Sequence, residues 1–113
     1  MKGLMQMTLF KGAGVALVTP FENGLVDYKR LAGLIDWQIT SGIDAIISCG
    51  TTGEASTLND KEHIDTVKFT FEMADSRVPV IAGCGSNDTE HAIYMAQEMK
   101  NIGVDGLLVV TPY

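Results

Sequence analysis

Four short apolar runs alternate with three longer stretches of helical period along this chain. The runs are Ala13-Gly14-Val15-Ala16-Leu17-Val18, Ala45-Ile46-Ile47-Ser48, Pro79-Val80-Ile81-Ala82 and Leu107-Leu108-Val109-Val110. Each ends at a Gly or hydroxyl residue and shows no apolar–polar alternation, so it reads as a strand covered on both faces. Between them, Tyr28, Leu31, Leu34, Ile35 and Ile39 recur at helical spacing behind Asp27, an N-cap, and Gly42 is placed to end that helix. A second face carries Ile64, Val67, Phe71 and Ala74 behind Asn59, with Glu62 completing a capping box. A third carries Ala92, Met95, Ala96 and Met99, capped by Asp88 or Thr89 and closed by Gly103. Phe21-Glu22-Asn23-Gly24 reads as a turn.

The order is therefore β-α-β-α-β-α-β, with strands beginning near 13, 45, 79 and 106. A repeat of about thirty residues is one βα unit, and such units make a parallel sheet. An open doubly wound sheet would carry a Gly-rich phosphate loop after its first strand, but here that strand ends in Thr19-Pro20-Phe21. All four strands instead end in small or hydroxyl residues, while the strand starts show no such bias. That asymmetry fits a (β/α)8 TIM barrel, whose function gathers at the C-terminal strand ends. A whole barrel takes about 250 residues, so residues 1–113 are expected to form its N-terminal half, with 1–9 as an N-terminal extension.

Composition narrows the class. A net charge of −6 with dispersed Lys and Arg excludes a nucleic-acid footprint. No segment reaches the roughly 18 apolar residues of a membrane span, so the expected setting is cytoplasmic with no membrane partner. Cys49 and Cys84 end apolar runs without a CxxC partner, as buried reduced thiols do. No cofactor or metal is expected.

The stretch that asks for chemistry is Gly50-Thr51-Thr52-Gly53-Glu54. Two adjacent hydroxyls between glycines at a strand end leave the backbone open to close approach, as at a site for a small molecule. On the residues alone, a structural Thr pair is an equal reading. Glu54 reads as a cap, His63 and His91 as solvated helix residues, and Met95 and Met99 as core filling. Trp37 marks an oligomer contact or a partly covered surface. Lys2 and Lys11 precede the first strand, and Lys29, Lys61, Lys68 and Lys100 fall in or beside helices, so none stands at a strand C-terminus.

Gly50-Thr51-Thr52-Gly53-Glu54-Ala55-Ser56-Thr57-Leu58 resembles the signature of the 4-hydroxy-tetrahydrodipicolinate synthase (dihydrodipicolinate synthase) family. Val18-Thr19-Pro20-Phe21, Pro79-Val80-Ile81-Ala82-Gly83 and Gly106-Leu107-Leu108-Val109-Val110-Thr111-Pro112-Tyr113 match it in order and spacing. The resemblance implies a homotetrameric (β/α)8 lyase of lysine biosynthesis, in the diaminopimelate pathway. Such an enzyme joins pyruvate, held as a Schiff base, to L-aspartate 4-semialdehyde. It also implies that Thr51 is a proton-relay hydroxyl and that Thr52 holds the pyruvate carboxylate. His63, Asn87 and Tyr113 match an allosteric lysine site, from which Asp60 and His91 depart where the family has His and Glu, against tight inhibition. The family's Schiff-base lysine falls beyond Tyr113, so this chain alone is expected to be inactive. The alternatives are a non-catalytic truncated half-barrel, or a related pyruvate-dependent aldolase such as N-acetylneuraminate lyase; the Thr51-Thr52 pair favours the synthase.

Overall fold

In the computed structural model, which describes residues 8–113, the four apolar runs become one parallel sheet. In chain order, β1 (Gly14–Ala16) leads to a small antiparallel hairpin of β2 (Phe21–Glu22) and β3 (Leu25–Val26), then α1 (Tyr28–Thr40). There follow β4 (Ala45–Ser48), α2 (Asp60–Ala74), β5 (Val80–Gly83), α3 (Thr89–Ile102) and β6 (Gly106–Leu108). The large sheet runs β1-β4-β5-β6, each strand parallel to the one before it. Spatial order equal to chain order is how a barrel winds, whereas a doubly wound sheet reverses at a switch point.

Local chemistry sets the helix starts. Asp27 accepts from the Arg30 amide at 3.0 Å, and Asp88, rather than Thr89, accepts from Glu90 at 3.1 Å. Asn59 and Glu62 bond each other's backbones at 2.8 and 3.0 Å, the reciprocal capping box read in the sequence. Left-handed Gly42 and Gly103 end α1 and α3, a conformation that costs a glycine nothing sterically. Glu54 is not a side-chain cap: it stands at φ +62° before a short 3-10 turn (Ala55–Thr57), with no capping hydrogen bond.

The core lies between the sheet and its helices. Leu31 and Ile35 of α1 meet Leu17 and Ile46, while Val67 of α2 and Met95 and Met99 of α3 meet Cys49, Ala82 and Cys84. The opposite face of the sheet is open, which corrects the expectation of two covered faces. Gly14 and Ala16 are exposed there, and Ile47 and Ile81 are half-buried. An apolar inner face is what a barrel fills with its own far strands; among the described residues this sheet has four.

Two further readings shift. The segment read as a turn holds one at Asn23-Gly24, but it closes a hairpin whose two-residue strands are too short to show a period. The first strand stops at Ala16 and the last at Leu108, leaving Val109 and Val110 exposed beyond it. Trp37 is 60% exposed on α1. Of the extension expected over 1–9, residues 1–7 lie outside the described residues, while the Leu9 side chain reaches the start of β6, beside Gly106. No helix among the described residues is long and apolar enough to cross a membrane.

Candidate active site

The Gly50–Gly53 stretch leaves β4 through a backbone reversal. Cys49 takes φ +56° and Glu54 φ +62°, two left-handed non-glycine residues at either end of the loop. Such conformations cost about 1–3 kcal/mol each and persist where the surroundings over-determine them. The turn is closed by Gly53 N–H to Gly50 C=O at 3.0 Å and by Glu54 N–H to Thr51 C=O at 2.9 Å. Gly53 is buried at the base, and Thr51 and Thr52 form the exposed tip. Among the described residues, neither the Thr51 nor the Thr52 amide donates to another backbone group. Two successive N–H donors and two hydroxyls on a fixed turn suit an anionic group such as a carboxylate.

Beside the tip lies a hollow of about 370 Å³ at the C-terminal ends of β4, β5 and β6. Thr51, His63, Asn87 and Tyr113 all line it, together with Asp60 and His91; Thr52 does not. The residues assigned to a catalytic loop and those assigned to an effector site thus border one cavity.

His63 is the largest departure from the sequence reading. It is 7% exposed, not solvated, because α2 turns this position toward the end of β5. Its Nε2–H donates to the Gly83 carbonyl at 2.6 Å, which fixes the neutral tautomer and leaves Nδ1 as an acceptor. Burial pushes its pKa below the ordinary 6.5, against the opposing pulls of the Gly83 carbonyl and Asp60. The unfolded chain therefore takes up this proton first as pH falls. Unfolding free energy is expected to be fully present above about pH 6.5 and to drop as pH is lowered from there toward the depressed folded value, by up to about 1.4 kcal/mol per pH unit. Urea titrations at several pH values, on the protein and on His63→Gln, check this. A slope unchanged by the substitution would sink it.

His91 leans from the first turn of α3 to Asp60 on the first turn of α2, Nε2 to Oδ1 2.8 Å, with both side chains partly exposed. Asn87 accepts from the Tyr113 amide at 2.8 Å, and Tyr113 is 92% exposed. Cys49 and Cys84 form part of the cavity floor as free buried thiols. Burial raises the Cys49 pKa to about 11 and that of Cys84 in the same direction, so neither is a nucleophile near neutral pH. No lysine among the described residues lines the cavity; Lys61, the one on the first turn of α2, is 84% exposed and pairs with Asp65 at 2.7 Å. Among the described residues no group of three or more His, Cys, Asp or Glu side chains is placed to hold a metal.

Two contributors escaped the sequence reading. Gly83 supplies the carbonyl that holds His63, and Thr19 reaches the loop from the end of β1. The strand-end Thr-Pro pair was the available signal for the second; nothing local marks the first.

Comparison with known proteins agrees with this architecture. The model of the Dihydrodipicolinate synthetase family matches residues 9–113. A 4-hydroxy-tetrahydrodipicolinate synthase of Clostridium novyi (strain NT) is 58% identical over 107 residues, which are 95% of this chain and 36% of that protein. A dihydrodipicolinate synthase from Acinetobacter baumannii, solved in complex with pyruvate, superposes with a TM-score of 0.90 at 45% identity, covering 94% of this chain and 36% of that one. The enzyme from Cyanidioschyzon merolae, solved with lysine bound, gives a TM-score of 0.89 at 39% identity, with 95% and 37% covered. The chain spans about a third of the length of the curated relatives it matches.

Proposed function

Because the chain belongs to the Dihydrodipicolinate synthetase family, we propose that it supplies the N-terminal half of a (β/α)8 lyase that condenses pyruvate with L-aspartate 4-semialdehyde. The observation that carries this reading is the exposed Thr51-Thr52 tip, with its unpaired amides, on a rigid turn beside the strand-end cavity. In this reading the Thr52 hydroxyl and N–H hold the pyruvate carboxylate, and the Thr51 hydroxyl passes a proton during formation of the Schiff base and of its enamine. Supporting it, the Acinetobacter baumannii relative was solved with pyruvate. The electrophile-trapping lysine is assigned to residues outside this chain, since no lysine among the described residues lines the cavity.

The hollow behind the tip is the candidate lysine-effector site, formed by His63, Asn87 and Tyr113. A relative solved with lysine bound supports that reading. Asp60, paired with His91 on the cavity wall, gives the site a carboxylate that could meet an ammonium group despite the departures at both positions. A homo-oligomer in the cytoplasm is the setting that exposed Trp37, the exposed row Leu107 to Val110 and the two free thiols support.

Borohydride reduction in the presence of pyruvate, read by intact mass, tests the central claim. The 113-residue chain is expected to take no adduct, and the full-length enzyme to take one on a lysine outside these residues. An adduct on a lysine of this chain would overturn the assignment of the nucleophile. No adduct on the full-length enzyme would overturn the pyruvate chemistry itself.

A further inference from the structure

Thr19 lies 34 residues from the Thr51-Thr52 loop in sequence, yet its hydroxyl donates to the Gly53 carbonyl at 2.7 Å. The side chain is buried, with 5% of its surface exposed, so this is not a solvent-exchanged contact. The donor is itself held on both sides. Leu17 N–H bonds the Ile47 carbonyl at 3.0 Å, continuing the β1–β4 ladder past the last residue of β1. Pro20 fixes its own φ and keeps Thr19 extended, while its carbonyl accepts from Asp27 N–H at 2.8 Å.

The acceptor is equally confined. A Cβ built on Gly53 would stand 3.1 Å from the Leu17 carbonyl oxygen, 3.1 Å from Cys49 Cα and 3.2 Å from Cys49 N. The loop base is therefore wedged between the end of β1 and the start of its own turn. Thr19 contributes the one side-chain hydrogen bond among the described residues that crosses from β1's end to this loop. With the base clamped, the tip amides and hydroxyls have a defined direction. Without the clamp, the Gly53 carbonyl is buried with no donor and the turn must rotate to find one.

We propose that Thr19 is a positioning residue for the pyruvate-binding loop, its hydroxyl orienting Thr51 and Thr52 through the Gly53 carbonyl. This rests on the pyruvate reading given above. Thr19 itself is buried and touches no part of the open tip, so it acts through the loop and not on substrate.

The test compares Thr19→Val, which keeps shape and branching without the donor, with Thr19→Ser, which keeps the hydroxyl, in the full-length enzyme. Expected for Thr19→Val is a rise of about tenfold or more in KM for pyruvate together with a fall in kcat, since a misplacement near 1 Å costs up to about a hundredfold. Thr19→Ser is expected to restore both to within about threefold. KM for the aldehyde substrate is expected to move least. Where Thr19→Val does not fold, Thr19→Ala replaces it, with the same expectation. Unchanged pyruvate KM and kcat in the hydroxyl-free variant overturn the proposal, as does a Thr19→Ser as impaired as Thr19→Val. Borohydride trapping of the unsubstituted enzyme separates the two levels. If it traps pyruvate while Thr19→Val stays normal, only the positioning role fails; if it traps none, the pyruvate reading fails.

Discussion

Gly83→Ala is expected to destabilise the protein by about 3 kcal/mol, the upper end of what overpacking a closed site costs. The added methyl would meet the Cys49 carbonyl group, its oxygen first and its carbon at 2.8 Å, with Gly50 Cα at 3.0 Å. These are backbone atoms, so no rotamer change relieves the contact. Either β4 and β5 part at their C-terminal ends or the Cys49–Gly50 backbone is pushed out of its left-handed turn. The first route also pulls the Gly83 carbonyl away from His63 Nε2, now 2.6 Å from it. Urea denaturation measures the loss as a lower midpoint at unchanged slope. A loss under about 0.5 kcal/mol would show that the strand ends accommodate a side chain and that the approach is not tight in solution. Because the shift falls at the root of the Thr51-Thr52 loop, the proposed reading has the pyruvate affinity of the full-length enzyme weaken in parallel with stability.

For Thr51→Val the expected result is catalytic. On the proposed reading the hydroxyl at the cavity edge carries a proton that valine cannot, and an acid–base group of this kind contributes about 10²–10⁴-fold. The full-length enzyme should lose about a hundredfold or more in kcat, with KM for pyruvate changed by less than about threefold, because the Thr52 donors remain. The exposed position of Thr51 makes the fold indifferent to the exchange, so stability should move by less than about 0.5 kcal/mol. Steady-state kinetics beside a denaturation curve separates these. Near-normal kcat would remove the relay role from Thr51, and a pure KM effect would reassign it to carboxylate binding.

What could be read from the sequence was what the chain specifies over a few residues. Asp27 and the Asn59–Glu62 box were legible because a cap is a contact between residues three apart. The parallel order followed from the repeat of about thirty residues, which leaves each strand no short return. The Thr51-Thr52 loop was conspicuous because glycines bracket hydroxyls at a strand end. His63 was misjudged because burial of a polar helix residue depends on a carbonyl 20 residues away, on β5. The roles of Gly83 and Thr19 went unassigned for the same reason, although both stand in strand-end motifs: each matters through backbone that only the folded sheet brings near. The open inner face could not be told from a covered one, since both demand the same apolar run. Ile47 and Ile81 look identical on paper whether they face a helix layer or a barrel interior.

On the proposed reading, in which further strands complete a barrel, that uncovered face sets a clock on synthesis. While this segment has folded and the rest of a barrel has not yet emerged, Leu107 and Leu108 lie on an edge strand with nothing beyond it. At roughly 5–20 residues per second, completing a barrel of about 250 residues takes on the order of ten seconds or more. For that interval an apolar ledge and a row of unpaired amides stand open to any neighbouring nascent chain. Ribosomes spaced closely on one message would present several such ledges at once. Charge offers a partial guard: the −6 carried by this segment makes each copy repel the next.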